Sequence, residues 1–263
     1  MSTTVSSINY CPVKSVSFQS IDTCEIKKNI GIVGDRIFAF AKDLDPDKVQ
    51  LFEKSPEERK GKWNKVLTLK NSPFLNKYNF FFKENKLTLT FKKKNILTID
   101  VNELSERQLL SNKIIELENF LKEPVVLMKN EEFPFFDTTI SNKVDFINSV
   151  SLLNIQSIND FQKKIDKEIE ISRFRGNICV DGIKPWEEQK WIGKIIKINN
   201  VSFKEEKNIP RCVAINLKPQ TDDNSLNLLQ SLKKTYNHFD MGIYLSALED
   251  GKINSGDKLE VIS

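Results

Sequence analysis

The chain has little of what the commonest enzyme chemistries require. Its 263 residues include one histidine, His238, so a Ser–His or Cys–His nucleophilic pair has a single candidate base. No GxGxxG, Walker loop, HExxH or GxSxG pattern occurs, which removes the signatures of dinucleotide enzymes, P-loop nucleotidases, zincins and α/β-hydrolases. Cysteine is scarce: Cys11, Cys24, Cys179 and Cys212, with no CxxC spacing, argue against a structural zinc site and against a disulfide framework. With 9 Gly and 9 Pro, collagen-like and low-complexity architectures are excluded. No apolar run approaches the ~20 residues that span a bilayer. Met1 to Val5 holds no basic stretch leading into an apolar one, so the expectation is no secretory signal, no membrane and a cytoplasmic location.

What is present suits a folded protein, with 39% hydrophobic and 29% charged residues, well away from the composition of disordered chains. The 40 basic and 36 acidic side chains leave a net charge of +4, too balanced to demand nucleic acid but compatible with an anionic small ligand. Lysines are scattered, and the run Lys92-Lys93-Lys94 reads as a solvated turn or strand end. Each cysteine is by default a buried, inert thiol. Cys179, between Ile178 and Val180, fits that default.

The first half reads as β-structure. Ile37 to Ala41 forms an apolar strand, and Phe80 and Phe82 alternate with Phe81 and Lys83. Leu87, Leu89 and Phe91 alternate with threonines, Glu84-Asn85 makes a hairpin turn between these runs, and another strand covers Ile96 to Val101. From Asn102 the period becomes helical, with Leu109, Leu110, Ile114, Leu117, Phe120 and Leu121 on one face until Pro124 ends it. Val125 to Met128 is a strand. Glu131 to Asn142 reads as a connecting loop and divides a domain at 1–130 from one at 131–263. The second half predicts strands at Val150 to Leu153, Asn177 to Val180, Ile195 to Ile198, Val201 to Lys204, Val213 to Leu217, Ile243 to Ala247 and Lys258 to Ile262. A helix covers Ser157 to Lys167, and Asn199-Asn200, Gly251, Gly256 and Asp257 mark turns. Many short strands between turns point to a mainly β fold of barrel or sandwich type with a few helices.

Several short segments carry the functional signal: Cys11-Pro12-Val13-Lys14-Ser15, Gly34-Asp35-Arg36, Arg173-Phe174-Arg175-Gly176-Asn177-Ile178, Pro185-Trp186-Glu187-Glu188, Trp191-Ile192-Gly193, Pro210-Arg211-Cys212, Gly242-Ile243-Tyr244 and Gly256-Asp257. No tripeptide is specific alone. In this order, from residue 8 to residue 262, the set resembles MOSC proteins with an N-terminal β-barrel domain, the mitochondrial amidoxime-reducing component and its bacterial relatives among them. The resemblance implies an N-terminal β-barrel-like domain, a C-terminal MOSC β-barrel, and a molybdenum cofactor (Mo-molybdopterin) between them.

The implied roles suit the residue chemistry. Cys212 is the implied metal ligand and catalytic centre: a thiolate joins the pterin's dithiolene sulfurs on a soft metal, and the neighbouring cation Arg211 suits thiolate ligation. Lys14, Ser15 and Arg36 are implied to hold the cofactor phosphate, as a point charge, a hydroxyl and a planar fork of donors. Arg175 is placed against the pterin, Asn177 anchors the same loop, Pro210 and Arg211 belong to the signature that presents the thiol, and Tyr244 lies near the cofactor. The chain departs from the pattern in places. Ile209 stands where a reductase relative has the first cysteine of Cys-x-x-Cys, and Cys11 replaces an aromatic residue. Ile215-Asn216-Leu217-Lys218-Pro219 replaces Thr-Thr-x-Asp-Pro. The Asp-x-Ser pocket segment is represented only by the offset Asp145, Asn148 and Ser149, with Asp145 a candidate proton donor and Ser149 a cofactor contact.

The resulting expectation is a molybdenum-dependent reductase of small N-hydroxylated or N-oxide substrates. Electrons would come from a separate ferredoxin-, cytochrome- or flavoprotein-type protein, because the chain has no flavin, haem or iron–sulfur signature and stops at Ser263 without a ferredoxin-like extension. The alternative is a sulfur-carrier or non-catalytic cofactor-binding module with a persulfide on Cys212. MOSC domains also resemble the C-terminal domain of molybdenum-cofactor sulfurases, a family-level link to pyridoxal phosphate, though no domain with a Schiff-base lysine is evident here.

Overall fold

The computed structural model describes residues 3–59, 61–118, 121–136 and 149–262. Among them, the strands in chain order are β1 (Thr4–Tyr10), β2 (Gln19–Ile21), β3 (Thr23–Lys27), β4 (Gly31–Ile32), β5 (Phe38–Lys42), β6 (Tyr78–Lys83), β7 (Lys86–Phe91), β8 (Lys94–Asp100), β9 (Val125–Lys129), β10 (Val150–Asn154), β11 (Ile178–Asp181), β12 (Ile195–Ile198), β13 (Val201–Pro210), β14 (Asp240–Ala247), β15 (Gly251–Asn254) and β16 (Leu259–Ile262). The α-helices are α1 (Pro46–Lys54), α2 (Pro56–Arg59), α3 (Leu104–Leu117), α4 (Ile155–Ile165) and α5 (Leu228–Tyr236). Among the described residues, no helix is long and apolar enough to cross a membrane.

The fold is mainly β, as the strand patterning implies. β6, β7 and β8 form an antiparallel meander. Its two turns place Glu84, Asn85, Lys92 and Lys93 at positive φ, the twist that two-residue hairpins need. Tyr78 and Phe80 point inward while Phe81 stays exposed, and this face shares one apolar core with Phe38, Phe40, Leu110 and Ile114. β5 and β9 pair beside it.

The second core belongs to an eight-stranded sheet in the order β16-β12-β13-β14-β10-β11-β1-β2. β10 and β11 run parallel, joined through α4. That helix is capped by the Asn154 side chain, which accepts from the Gln156 amide. β1 reaches across the chain to pair with β11, carrying β2 on its other edge, while β3 pairs with β15 and β4. The ladders do not close into barrels. In the strand order the eight-stranded sheet ends at β16 and β2, and it approaches closure where the start of β1 meets the run into β16, through the bridge Thr4↔Lys258 and bonds from Val5 N–H to Asp257 O at 2.8 Å, Gly256 N–H to Val5 O at 2.8 Å and Leu259 N–H to Thr3 O at 2.9 Å. β2 takes the Ile8–Tyr10 part of the same edge of β1, which leaves only the Thr3–Val5 end to the run into β16.

Three local expectations give way, and one helix stands where none is expected. The helix expected to reach Pro124 ends at Leu117, where the Glu118 carboxylate is tied down by the Tyr78 hydroxyl at 2.5 Å and the Lys77 ammonium at 2.6 Å; Leu109 is half exposed and Leu110 takes the buried position. Val213 to Leu217 is not a strand: Val213–Asn216 is a 3₁₀ turn, held by Ile215 N–H to Cys212 O and Leu217 N–H to Ala214 O, both 3.2 Å. Val213 is exposed while Ile215 and Leu217 are buried, so burial alternates as it would in a strand. Gly251 opens β15 rather than a turn. Helix α5, capped by Asn227, had no clear signal in its polar surroundings.

Gly242 shows how tightly β14 meets β10. It sits at φ +77°, and a Cβ there would stand 2.3 Å from the Leu152 carbonyl oxygen and 2.7 Å from the Leu153 Cδ2. Gly242→Ala is therefore expected to cost roughly 3 kcal/mol, from left-handed backbone strain plus a backbone clash; urea denaturation checks it, and a loss under about 1 kcal/mol would show that the sheet absorbs the methyl group.

Candidate functional site

Two distant segments are zipped together at the first end of the site. The Cys11–Ser15 turn lies along the run into β5. Arg36 N–H donates to Cys11 O at 2.7 Å, Phe38 N–H to Pro12 O at 2.9 Å, and Lys14 N–H to Phe38 O at 2.8 Å. These bonds hold Ser15 and Arg36 at φ +71° and +53°, left-handed values that residues with a Cβ seldom adopt unless bonded there. Lys14, Ser15 and Arg36 are all largely buried.

The Asp35 carboxylate organises this end. It accepts from the Cys11 amide at 3.0 Å, from Arg36 Nε at 2.8 Å, from Arg36 Nη2, and from Asn177 Nδ2 at 3.0 Å. Asn177, fully buried just before β11, continues the network. Its Oδ1 accepts from Arg36 Nη2 at 2.9 Å, from the Ser151 amide at 3.1 Å and from Ser151 Oγ at 2.8 Å, and its Nδ2 also reaches Asn9 O at 3.1 Å. The Gly-Asp-Arg and Arg-Phe-Arg-Gly-Asn segments thus meet through an ion pair and an amide. Sequence reasoning gave Asp35 and Ser151 no role. For Asp35 the available signal was a carboxylate directly beside a predicted anion-binding arginine.

The thiol end is built by β13. Pro210 pairs with Asp240 at the strand's close, and proline has no N–H to continue a ladder. The chain then turns, and Cys212 stands exposed ahead of the 3₁₀ turn. Arg211 fixes this turn from below: its N–H donates to Phe239 O at 2.9 Å, Nη1 to Phe174 O at 2.7 Å, and Nε to Met241 O at 2.8 Å. Arg211 is thereby a clamp on main-chain carbonyls as well as a neighbouring charge. The loop beyond is tied to the first core, with Asn76 Nδ2 donating to Lys218 O and Thr221 O, both 2.8 Å, and Gln220 N–H to Ser17 Oγ at 2.9 Å.

A cavity of about 100 Å³ joins the two ends, lined among others by Arg36, Arg175, Arg211, Cys212 and Tyr244. Pro210, Ser151 and Arg173 line it too. Arg36 is matched by Asp35 and Arg173 by Glu170. Arg175 differs: its guanidinium donates to Val16 O at 2.8 Å, approaches Cys11 Sγ at 3.9 Å and lies 4.6 Å from the Phe18 ring centre. None of these contacts is a carboxylate, and burial pushes its pKa down.

Among the other candidates, Lys14 donates to Phe136 O at 2.5 Å and lies 5.1 Å from the Trp63 ring centre; Ser15 sits beside it in the turn. Ser149 is buried immediately before β10, its carbonyl packed against Gly31. Lys14, Ser15, Ser149 and Asn177 are not among the described lining residues of the cavity. Asp145 and Asn148 lie outside the described residues. The Pro185–Glu188 segment has a framework role. Glu188 is buried, takes hydrogen bonds from Asn154 Nδ2 and Ser157 Oγ at 2.8 Å, and has its pKa raised chiefly by burial.

Residues 146–260 match the family model described as the MOSC domain. Among curated proteins, the chain is 28% identical over 160 residues to mitochondrial amidoxime reducing component 2 of Bos taurus, covering 56% of this chain and 47% of that protein. It is 28% identical over 120 residues to the protein of the same name from Rattus norvegicus, covering 41% of this chain and 35% of that one. The matched region thus spans less than half of these relatives. Among solved structures, the YUAD protein of Bacillus subtilis is loosely similar, with a TM-score of 0.44 and 11% identity over 99% of this chain and 96% of that one. YiiM from Geobacillus stearothermophilus gives a TM-score of 0.35 and 15% identity over 43% of this chain and 54% of that one.

The four thiols are set apart by their surroundings. Burial, with Asp35 adding to it, pushes Cys11 and Cys24 up to about 12, and burial raises Cys179 as well, whereas Cys212 is exposed. Iodoacetamide at mildly alkaline pH is expected to label the folded chain once, at Cys212, as read by peptide mass spectrometry; equal labelling of Cys11 would show that the turn is not closed in solution.

Proposed function

We propose, from the premise that residues 146–260 are a MOSC domain, that this chain binds the molybdenum cofactor through Cys212 and reduces small N-hydroxylated or N-oxide substrates with electrons from a separate protein. The observation that carries the reading is an exposed thiol opening onto the cavity that Arg36 and Arg175 also line. The donor set fits: one soft sulfur at one end suits the metal, and at the other lie a buried ammonium, a hydroxyl and a planar guanidinium suited to a phosphate. The relatives' name, amidoxime reducing component, supports the substrate class.

In this reading Cys212 Sγ is the protein's metal ligand, presented by the Pro210 turn and the Arg211 clamp. Lys14, Ser15 and Arg36 hold the phosphate, and Asp35 and Asn177 fix the plane of the Arg36 guanidinium. Arg175, at the end of the Ile171–Phe174 turn, and Tyr244 on β14 would contact the pterin. When bound, the cofactor supplies a metal centre that exchanges electron pairs with an N–O bond. Reduction of an N-hydroxyl group takes up two electrons and two protons and releases water. The exposed face at Cys212 admits solvent protons, and Asp145 is the candidate side-chain donor.

Protein from a host that makes the cofactor is expected to contain stoichiometric molybdenum and to reduce benzamidoxime with reduced viologen as donor. Cys212→Ser is expected to lower metal retention by about tenfold or more, in line with the loss of a soft ligand. Wild-type protein that stays metal-free while another molybdenum enzyme in the same cells is loaded would sink the cofactor reading. Metal-loaded but inactive protein would sink catalysis alone, and a Cys212 mass gain of one sulfur without pterin would favour sulfur transfer.

A further inference from the structure

A ligand that reaches from Cys212 to Arg36 bridges two packed units, since the thiol stands on the loop after β13 and Arg36 on the run into β5. Their separation is set wherever those units touch. The Asp35–Asn177 network is one such place, and a second lies just beyond Cys212 in the chain. There Ala214 lines the cavity that holds Cys212. Ala214, Leu217 and Pro219 also line a neighbouring hollow of about 10 Å³, which shares Arg173 and Arg175 with that cavity and brings in Ser17 and Asn76 from the first half of the chain. A hollow of this size has room for one water at most, so the stretch from Ala214 to Pro219 rests against the first core with little slack.

Asn76 grips the far end of this stretch. It is buried within the turn Pro73–Lys77, and its Nδ2 donates to Lys218 O and Thr221 O, both at 2.8 Å. Ser17 Oγ donates to Asn76 O at 2.6 Å and accepts the Gln220 N–H at 2.9 Å. The Lys77 ammonium joins Glu118, at 2.6 Å, to Asp222, at 3.6 Å. Inside the loop, Lys218 N–H donates to Asp223 O at 2.7 Å and Thr221 N–H to Lys218 O at 3.2 Å. These internal bonds give the loop its shape, while Asn76, Ser17 and Lys77 set where that shape stands against the first core. The near end is held from the other side, by Arg173 Nη1 donating to Asn216 O at 2.8 Å.

We infer that Asn76 is a positioning residue for Cys212, acting through the Val213–Asn216 turn and the loop beyond it to hold the thiol at a fixed distance from Arg36. The inference rests on the reading of Cys212 as the metal ligand. A side-chain amide suits the task, because one planar nitrogen carries two N–H groups and can tie two carbonyls at once without burying a charge. Shortening it leaves both carbonyls short of a donor and frees the loop to shift.

The test has one arm in the cofactor-free full chain and one in the loaded protein. In the first, hydrogen exchange at the Ile215 and Leu217 amides reads the turn that follows Cys212. Asn76→Ala is expected to exchange them about fivefold faster than wild type, the net effect of one hydrogen bond. Ser17→Ala, which keeps the Asn76 grip, is expected about threefold faster, and it serves if the Asn76 variant does not melt cooperatively. Ser111→Ala is the control for a general loss of stability: Ser111 is buried beside β9, where its Oγ accepts the Leu127 N–H at 3.1 Å, and its loss is expected to leave both amides at the wild-type rate. In the second arm, molybdenum is expected to leave Asn76→Ala on dialysis about tenfold faster than wild type, the lower end of what outer-shell partners contribute to metal affinity. Ser111→Ala is expected to keep it as wild type does. Wild-type exchange in the folded Asn76 and Ser17 variants, or equal acceleration by Ser111→Ala, overturns the positioning role. So does a loaded Asn76→Ala protein that holds its metal as long as wild type. If wild type takes up no molybdenum, the cofactor reading fails, and the exchange arm alone decides whether Asn76 places the turn.

Discussion

One buried carboxylate holds the halves of the site in register. Asp35 gathers a main-chain amide, both faces of the Arg36 fork and the Asn177 amide around two oxygens. A buried ion pair repays its desolvation only when its partners are otherwise well bonded, and here the two Asp35 oxygens take donors from three separate stretches of chain. Arg36 and Asn177 stand 141 positions apart, yet the network fixes their relation as firmly as neighbouring residues in a strand. The cavity, the turn carrying Lys14 and the approach to β11 all inherit their positions from this knot.

The division of labour among the arginines follows from their partners. Arg36 and Arg173 each face a carboxylate, and Arg211 is turned to carbonyls of Phe174 and Met241. These contacts build the walls. Arg175 touches a carbonyl, a thiol and a ring, and it lines the cavity with Arg36, Arg173 and Arg211. A site rich in arginine is thereby partly architecture, its guanidinium groups bonded to main-chain carbonyls and carboxylates of its own walls.

Much of this was legible in the sequence, for physical reasons. Alternation of Phe80, Leu87 and Leu89 with polar residues marks β6 and β7 because one face is buried and the other wet. The strand expected at Val201 to Lys204 runs on to Pro210, where proline cannot donate to a further ladder bond. The Val213–Leu217 segment misled because a 3₁₀ turn over a core edge buries alternate residues just as a strand does. Contacts between distant segments were hidden: no local pattern shows that Asp35 meets Asn177, or that Phe136 meets Lys14, since each depends on how far-apart turns converge. The ordered motif set named the residues of the site but not their mutual bonds. Ile209, a departure from the Cys-x-x-Cys pattern, proves to be part of the apolar cluster around Phe136.

The placement of β1 also has a consequence for biosynthesis. Asn9 bonds to the Gly176 carbonyl 167 positions later, so at ribosomal rates of ~5–20 residues per second the first strand waits roughly ten to thirty seconds for its neighbour β11 to emerge. β2 covers one side of it during that interval, while the other side offers bare hydrogen-bonding groups to any passing strand. The nascent chain is thus most exposed to mispairing before the second core exists, and slow translation or a missing distal half lengthens that window.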